Sequence, residues 1–184
     1  INMAVDTINY LASNGKKVVF DAEHFFDGYK EDSKTSLEIM DAVIAAGVDC
    51  FIFCDTSGGI LPSEVHTILS EVLTRYENQK FGVHFQNDNG CAVTNSMAAV
   101  NLGVDHVQGT MNGYGERTGN ADLCTLVACE GTRSLCARVP NLTIHGHGHS
   151  CSCTCPQGRR RRGRRRTSSC GSRGRACPPE AIKR

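Results

Sequence analysis

No apolar stretch in the 184 residues approaches the roughly 18 that a membrane-spanning helix needs. The N-terminus also lacks the basic-then-apolar layout of a signal peptide. Neither a membrane partner nor export is expected, and the chain reads as cytoplasmic. It opens without Met, at Ile1 inside a helical pattern, so an upstream portion is expected. Acidic residues are scarce beyond Cys129: 17 of the 19 Asp and Glu precede Glu130, whereas 13 of the 20 Lys and Arg follow Cys129. The formal charge of +1 therefore joins a region of 7 − 17 = −10 to one of 13 − 2 = +11. The 11 cysteines divide at the same point. Cys50, Cys54, Cys91, Cys124 and Cys129 sit in or beside apolar runs and read as reduced, mostly core residues. Cys136, Cys151, Cys153, Cys155, Cys170 and Cys177 lie among Ser, Gly and Arg.

What the first region does contain is a repeating pattern. Short β-rich apolar runs occupy residues 17–20, 50–53, 81–83 and 104–107. From Val18 to Phe51 to Val83 to Val107 the steps are 33, 32 and 24 residues, the length of a strand, a crossover helix and two loops. Helical periodicity fills the gaps at Leu37, Met40, Val43, Ile44, then Val65, Ile68, Leu69, Val72, Leu73, then residues 92–102. Pro62, Ser63 and Glu64 make a sound helix opening. Apolar strands alternating with helices predict an α/β fold with a parallel sheet. With fewer than the roughly 250 residues of a complete (βα)8 barrel, any such barrel is partial.

Polar residues gather where each strand is expected to end: Asp21 and Glu23, then Asp55 and Thr56, then His84, Gln86, Asn87 and Asp88, then Gln108, Thr110 and Asn112. Loop and cap preferences account for any one of them. Four successive strand ends behaving alike predict a single functional rim, as at the carboxyl face of a βα barrel.

Three strings are specific: FDAEHFFDGYK at residues 20–30, CDTSGGILP at 54–62 and VQGTMNGYGERTGN at 107–120. With HFQND at 84–88, they resemble the citramalate, isopropylmalate and homocitrate synthases, citramalate synthase most of all. The resemblance covers residues 1–129 and implies the fifth to eighth strands of a TIM barrel. It implies an acyltransferase that condenses acetyl-CoA with a 2-oxo acid, pyruvate in the citramalate branch, by a Claisen reaction in branched-chain amino-acid biosynthesis. A divalent metal (Mg, Mn or Zn) polarises the oxo-acid carbonyl in that family. Its ligands are two histidines in a His-x-His pattern, an asparagine, and an aspartate on the first strand. Carried over, the pattern gives His84 and Asn120, with Gln86 in place of the second histidine. A neutral amide oxygen is a weaker, harder donor than imidazole and suits Mg or Mn better than Zn. Glu23 matches the family's proton-handling glutamate and Thr56 a threonine that binds the oxo-acid carboxylate. Asp55, Glu116 and Arg117 are expected to organise the rim by pairing. A homodimer is expected of the complete protein, and this half alone is expected to be inactive.

Residues 130–184 have neither helix nor strand periodicity and are expected to form a disordered Arg/Cys/Gly/Ser-rich tail. The favoured origin of this tail is a change of reading frame near Cys129 in a GC-rich gene, with a basic nucleic-acid-binding tail and a soft-metal tail as the alternatives. The Cys and His spacing is not that of a zinc finger, and the Arg runs lack interleaved aromatics. The alternatives for the first region are a sister synthase, a lyase on a similar barrel, and a non-catalytic relative in which Gln86 has abolished metal use.

Overall fold

The computed structural model describes residues 1–76, 78–131, 141–146 and 149–153. Helix α1 (Asn2–Ser13) precedes β1 (Val19–Ala22), α2 (Phe25–Glu31) and α3 (Ser33–Ala45). There follow β2 (Cys50–Asp55), α4 (Pro62–Leu73), β3 (Phe81–Phe85), α5 (Ala92–Leu102), β4 (His106–Gly109) and α6 (Leu123–Gly131). Strands β1 to β4 pair in sequence order and all in parallel. Among the described residues no helix is long and apolar enough to cross a membrane.

Local chemistry sets the helix boundaries. Asp32 caps α3 by accepting from the Thr35 N–H at 3.1 Å and the Thr35 hydroxyl at 2.7 Å, and the hydroxyl bond, the larger influence, lowers the Asp32 pKa. At α4, Pro62 opens the helix and Glu64 reaches back to the Leu61 N–H at 2.9 Å. Helix α5 stops at Gly103, whose φ of 102° lies where a side chain would be strained.

The strands run about two residues further than the apolar runs suggested. Strand β1 occupies 19–22 rather than 17–20, and β4 occupies 106–109 rather than 104–107. Asp21, His84 and Gln108 thus lie within strands, and the polar residues are the last members of one strand face. Alternation sends Phe51, Phe53, Phe81, Val83, Phe85 and Val107 outward into the main core beneath the helices. Rings there pack closely, with Phe53 4.7 Å from Phe25 and 5.3 Å from Phe81. The other parity carries Asp21, Cys50, Ile52, Cys54, Gly82, His84, His106 and Gln108. The register sets Ile52 beside Gly82, and Gly82 beside His106. A Cβ at Gly82 would overlap both of those side chains, so only glycine fits between them.

A bond between strands that are not neighbours shows that the sheet curls. The Gln108 Nε2 donates to Asp21 Oδ1 at 2.9 Å, although β2 and β3 lie between β1 and β4. In a flat sheet three strand spacings come to about 14 Å, beyond the reach of these two side chains together.

Two stretches within 130–184 are described. Helix α6 continues to Gly131, and β5 (Asn141–Gly146) adds in parallel to β4, with β6 (His149–Cys153) antiparallel to β5. A free β4 edge offers unpaired N–H and C=O groups, and the alternation from Leu142 through Thr143 to Ile144 suits a strand that pairs with it. The rest of the expected tail, residues 132–140, 147–148 and 154–184, lies outside the described residues. The cysteines also divide more evenly than expected: Cys50 and Cys54 are buried, whereas Cys91, Cys124 and Cys129 are at least partly exposed.

Candidate functional site at the carboxyl rim

Glu23, Thr56, His84 and Gln86 sit at or just past the carboxyl end of a strand, and Asn120 is brought to the same rim by the segment that follows β4. Glu23 follows β1, and Thr56 follows β2. They touch: the Thr56 hydroxyl donates to Glu23 Oε2 at 2.5 Å while accepting from the His24 N–H at 2.8 Å. His24 makes this possible by taking a left-handed conformation, φ 56°, that aims its N–H at the β2 loop. The single Thr56 proton is therefore engaged by Glu23.

Asp55 ends β2 with the outward parity, 1 % exposed, and accepts from the N–H groups of Ile60 at 3.2 Å and Gly59 at 3.3 Å. Burial is the larger influence and raises its pKa, against the lowering by those two bonds. It organises the loop through backbone donors. Arg117 does so by ion pairing, donating to both Asp88 oxygens at 2.8 and 3.0 Å and to the Thr56 carbonyl at 2.7 Å, with Glu116 at 3.6 Å. Loops from β2, β3 and β4 are joined through that guanidinium.

His84 lies in β3, and Gln86, two residues on with the same parity, follows the strand's last residue. The segment after β4 folds back across this strand end, so that Asn120 pairs with Gln86 in an antiparallel bridge. Flanking bonds fix the return: Asn87 N–H to the Gly119 carbonyl at 2.8 Å and Ala121 N–H to the Phe85 carbonyl at 3.1 Å. Gly119 is needed at φ 104°, where a Cβ would overlap the Gly113 carbonyl oxygen. The structure thus gathers His84, Gln86 and Asn120, and separately Glu23 and Thr56, on one rim.

The amide oxygens Gln86 Oε1 and Asn120 Oδ1 are buried and have no hydrogen-bond partner. A buried carbonyl oxygen without a donor is costly, and an electropositive group reaching these two would relieve that cost. His84 Nδ1 lies 3.0 Å from Gln108 Oε1. Among the described residues no three His, Cys, Asp or Glu side chains gather to hold a metal, so a cation here would draw on amide oxygens and one imidazole. That donor set fits a hard divalent ion such as Mg or Mn. Sequence reasoning named Asp21 and Gln108 as strand-end residues but gave them no role, because their contact spans 87 positions and depends on the curl of the sheet.

A curled parallel βα sheet with its polar residues at the carboxyl ends defines a partial (βα)8 barrel with a candidate site on its rim. The chain belongs to the HMGL-like family, whose sequence pattern matches residues 1–148. It is 45 % identical over 127 residues to (R)-citramalate synthase of Aquifex aeolicus, covering 69 % of this chain and 24 % of that protein. It is 46 % identical over 127 residues to (R)-citramalate synthase of Sulfolobus acidocaldarius, with the same coverage. The chain thus spans about a quarter of the length of these curated relatives. The crystal structure of Bacillus subtilis HMG-CoA lyase superposes with a TM-score of 0.64 at 21 % identity, over 71 % of this chain and 47 % of that one, which shows the fold.

Proposed function

We propose that residues 1–129 form the second half of a cytoplasmic TIM-barrel carboligase that condenses acetyl-CoA with pyruvate to give citramalate, in isoleucine and leucine biosynthesis. The observation that carries this reading is the pair of buried, unpartnered amide oxygens of Gln86 and Asn120, bridged to each other just past the end of the strand that bears His84. The names of these two relatives favour citramalate as the product over those of the sister synthases.

His84, Gln86 and Asn120 would hold the divalent ion, which when bound supplies Lewis-acid polarisation of the oxo-acid carbonyl. Glu23 takes a proton from the acetyl methyl group, and the resulting carbanion forms the new carbon–carbon bond at the keto carbon while the carbonyl pair moves onto oxygen, which then takes a proton to become the hydroxyl. Hydrolysis of the thioester then releases CoA. Thr56 binds the oxo-acid carboxylate through its hydroxyl. Since that proton now goes to Glu23 Oε2, arrival of the oxo acid would withdraw it and leave Glu23 free to act as a base. Arg117 holds the loops that carry Thr56 and Asp88 in register.

The test is to place this sequence in a chain of the relatives' full length and supply acetyl-CoA, Mn or Mg and a panel of 2-oxo acids. Free CoA thiol should appear fastest with pyruvate and disappear with His84→Ala. Thiol release with none of the oxo acids overturns the condensing reading. The composition change at Cys129 supports a shift of reading frame there, which the nucleotide sequence around that codon tests directly.

A further inference from the structure

We propose that Gln108 is a positioning residue which, oriented by Asp21, fixes the tautomer of His84 so that Nδ1 carries the proton and Nε2 keeps its lone pair. The tautomer follows from the contacts; its use in metal binding rests on the proposed function above.

The argument is one of compelled donors. Gln108 is buried, 6 % exposed, and its amide touches two partners, Asp21 at 2.9 Å and His84 at 3.0 Å. A carboxylate accepts and does not donate, so the amide nitrogen must face Asp21. The amide oxygen then faces His84 Nδ1, and a carbonyl oxygen cannot donate either. Nδ1 must supply the hydrogen, and the neutral ring is left with Nε2 as its only acceptor or ligand atom. Turning the amide over would set its oxygen against a carboxylate oxygen and offer N–H to Nδ1, which inverts the tautomer. The charge on β1 therefore reaches the imidazole on β3 through a glutamine on β4. Metal-binding histidines are commonly held through their second nitrogen by a carboxylate or carbonyl. Here one amide relays the carboxylate's preference across the concave face, and the register sets Gln108 directly beside His84.

The experiment reads the side-chain nitrogen shifts of His84 by 15N NMR in the metal-free full chain, assigned against His84→Gln, and Mn affinity by calorimetry. The native chain should show Nδ1–H. Asp21→Asn should give a mixture of tautomers, because either amide orientation then satisfies both partners. Gln108→Met should leave mainly Nε2–H and weaken Mn binding by about 10- to 100-fold. Gln108→Glu retains an acceptor facing Nδ1 and should restore the Nδ1–H form. Should Gln108→Met fail to fold, Asp21→Asn, which alters an exposed strand position, carries the comparison. Nε2–H in the native protein, or a tautomer indifferent to both Asp21→Asn and Gln108→Met, overturns the proposal. Tautomers that respond as expected in a chain of the relatives' full length that binds no Mn support it and overturn the metal-site reading instead.

Discussion

The two faces of the sheet are built from the same strands to opposite specifications. Outward, Phe51, Phe53, Phe81, Val83 and Phe85 interlock with the helices in one continuous core. Inward, Cys50, Ile52 and Cys54 form a small separate apolar cluster, and around it stand His84, Gln86, Gln108 and Asp21. Burial pushes the Cys50 thiol up to about 12 and the Cys54 thiol higher still, so neither is a nucleophile at neutral pH. The outer face supplies cohesion and the inner face holds polar groups in place. Folding energy and chemistry are thereby separated by one residue of alternation along each strand.

That separation can be broken most severely from outside. Phe53→Ala empties a fully buried site bordered by Phe25 and Phe81 and should lower stability by about 3–5 kcal/mol in chemical denaturation. His84→Ala, one residue away from the core in parity, should lower stability by only about 1 kcal/mol. Its effect should appear instead as lost Mn binding. Equal stability losses for the two variants would contradict the division between faces.

Asp55 sharpens the comparison, since it sets a carboxyl group into the outward face. Burial raises its folded pKa above the unfolded value of about 4. Its contribution to stability is then fully present below that unfolded value and is lost as pH rises through the folded pKa. Asp55→Asn should flatten this part of the profile, measured by denaturation midpoints at successive pH values. A native profile that climbs with pH where the Asn variant's is flat would reverse the sign of the argument.

The smallest stability change is expected at Gln86→His on the inward face. The midpoint of unfolding should stay within about 0.5 kcal/mol of the parent, while Zn affinity rises relative to Mg. An unchanged Zn/Mg preference would show that position 86 does not meet the ion.

Much of this was legible in the residues. The steps between apolar runs set four strands and their crossover helices, and Pro62 with Glu64 marked the start of α4. The rim strings located Glu23, Thr56, His84 and Gln86 at strand ends and Asn120 in the segment after β4. The exact ends of β1 and β4 were not legible, because inward polar residues in a curled sheet look like loop residues to a hydrophobicity pattern. Nor was β5, whose pairing depends on the edge that β4 leaves available. The hydrogen bond from Thr56 to Glu23 was hidden too, since it joins the ends of two strands 33 positions apart.

Sequence alone determined the alternation of strand and helix, the family and the identity of the rim residues, because periodicity and motif are properties of neighbours along the chain. Tertiary structure alone decided that Asp21 meets Gln108, that Gln108 meets His84, and that Gln86 and Asn120 share a bridge with their oxygens unpartnered. These contacts depend on how far the sheet curls and on where a loop returns. Both are set by the packing of the whole fold, which no local pattern encodes.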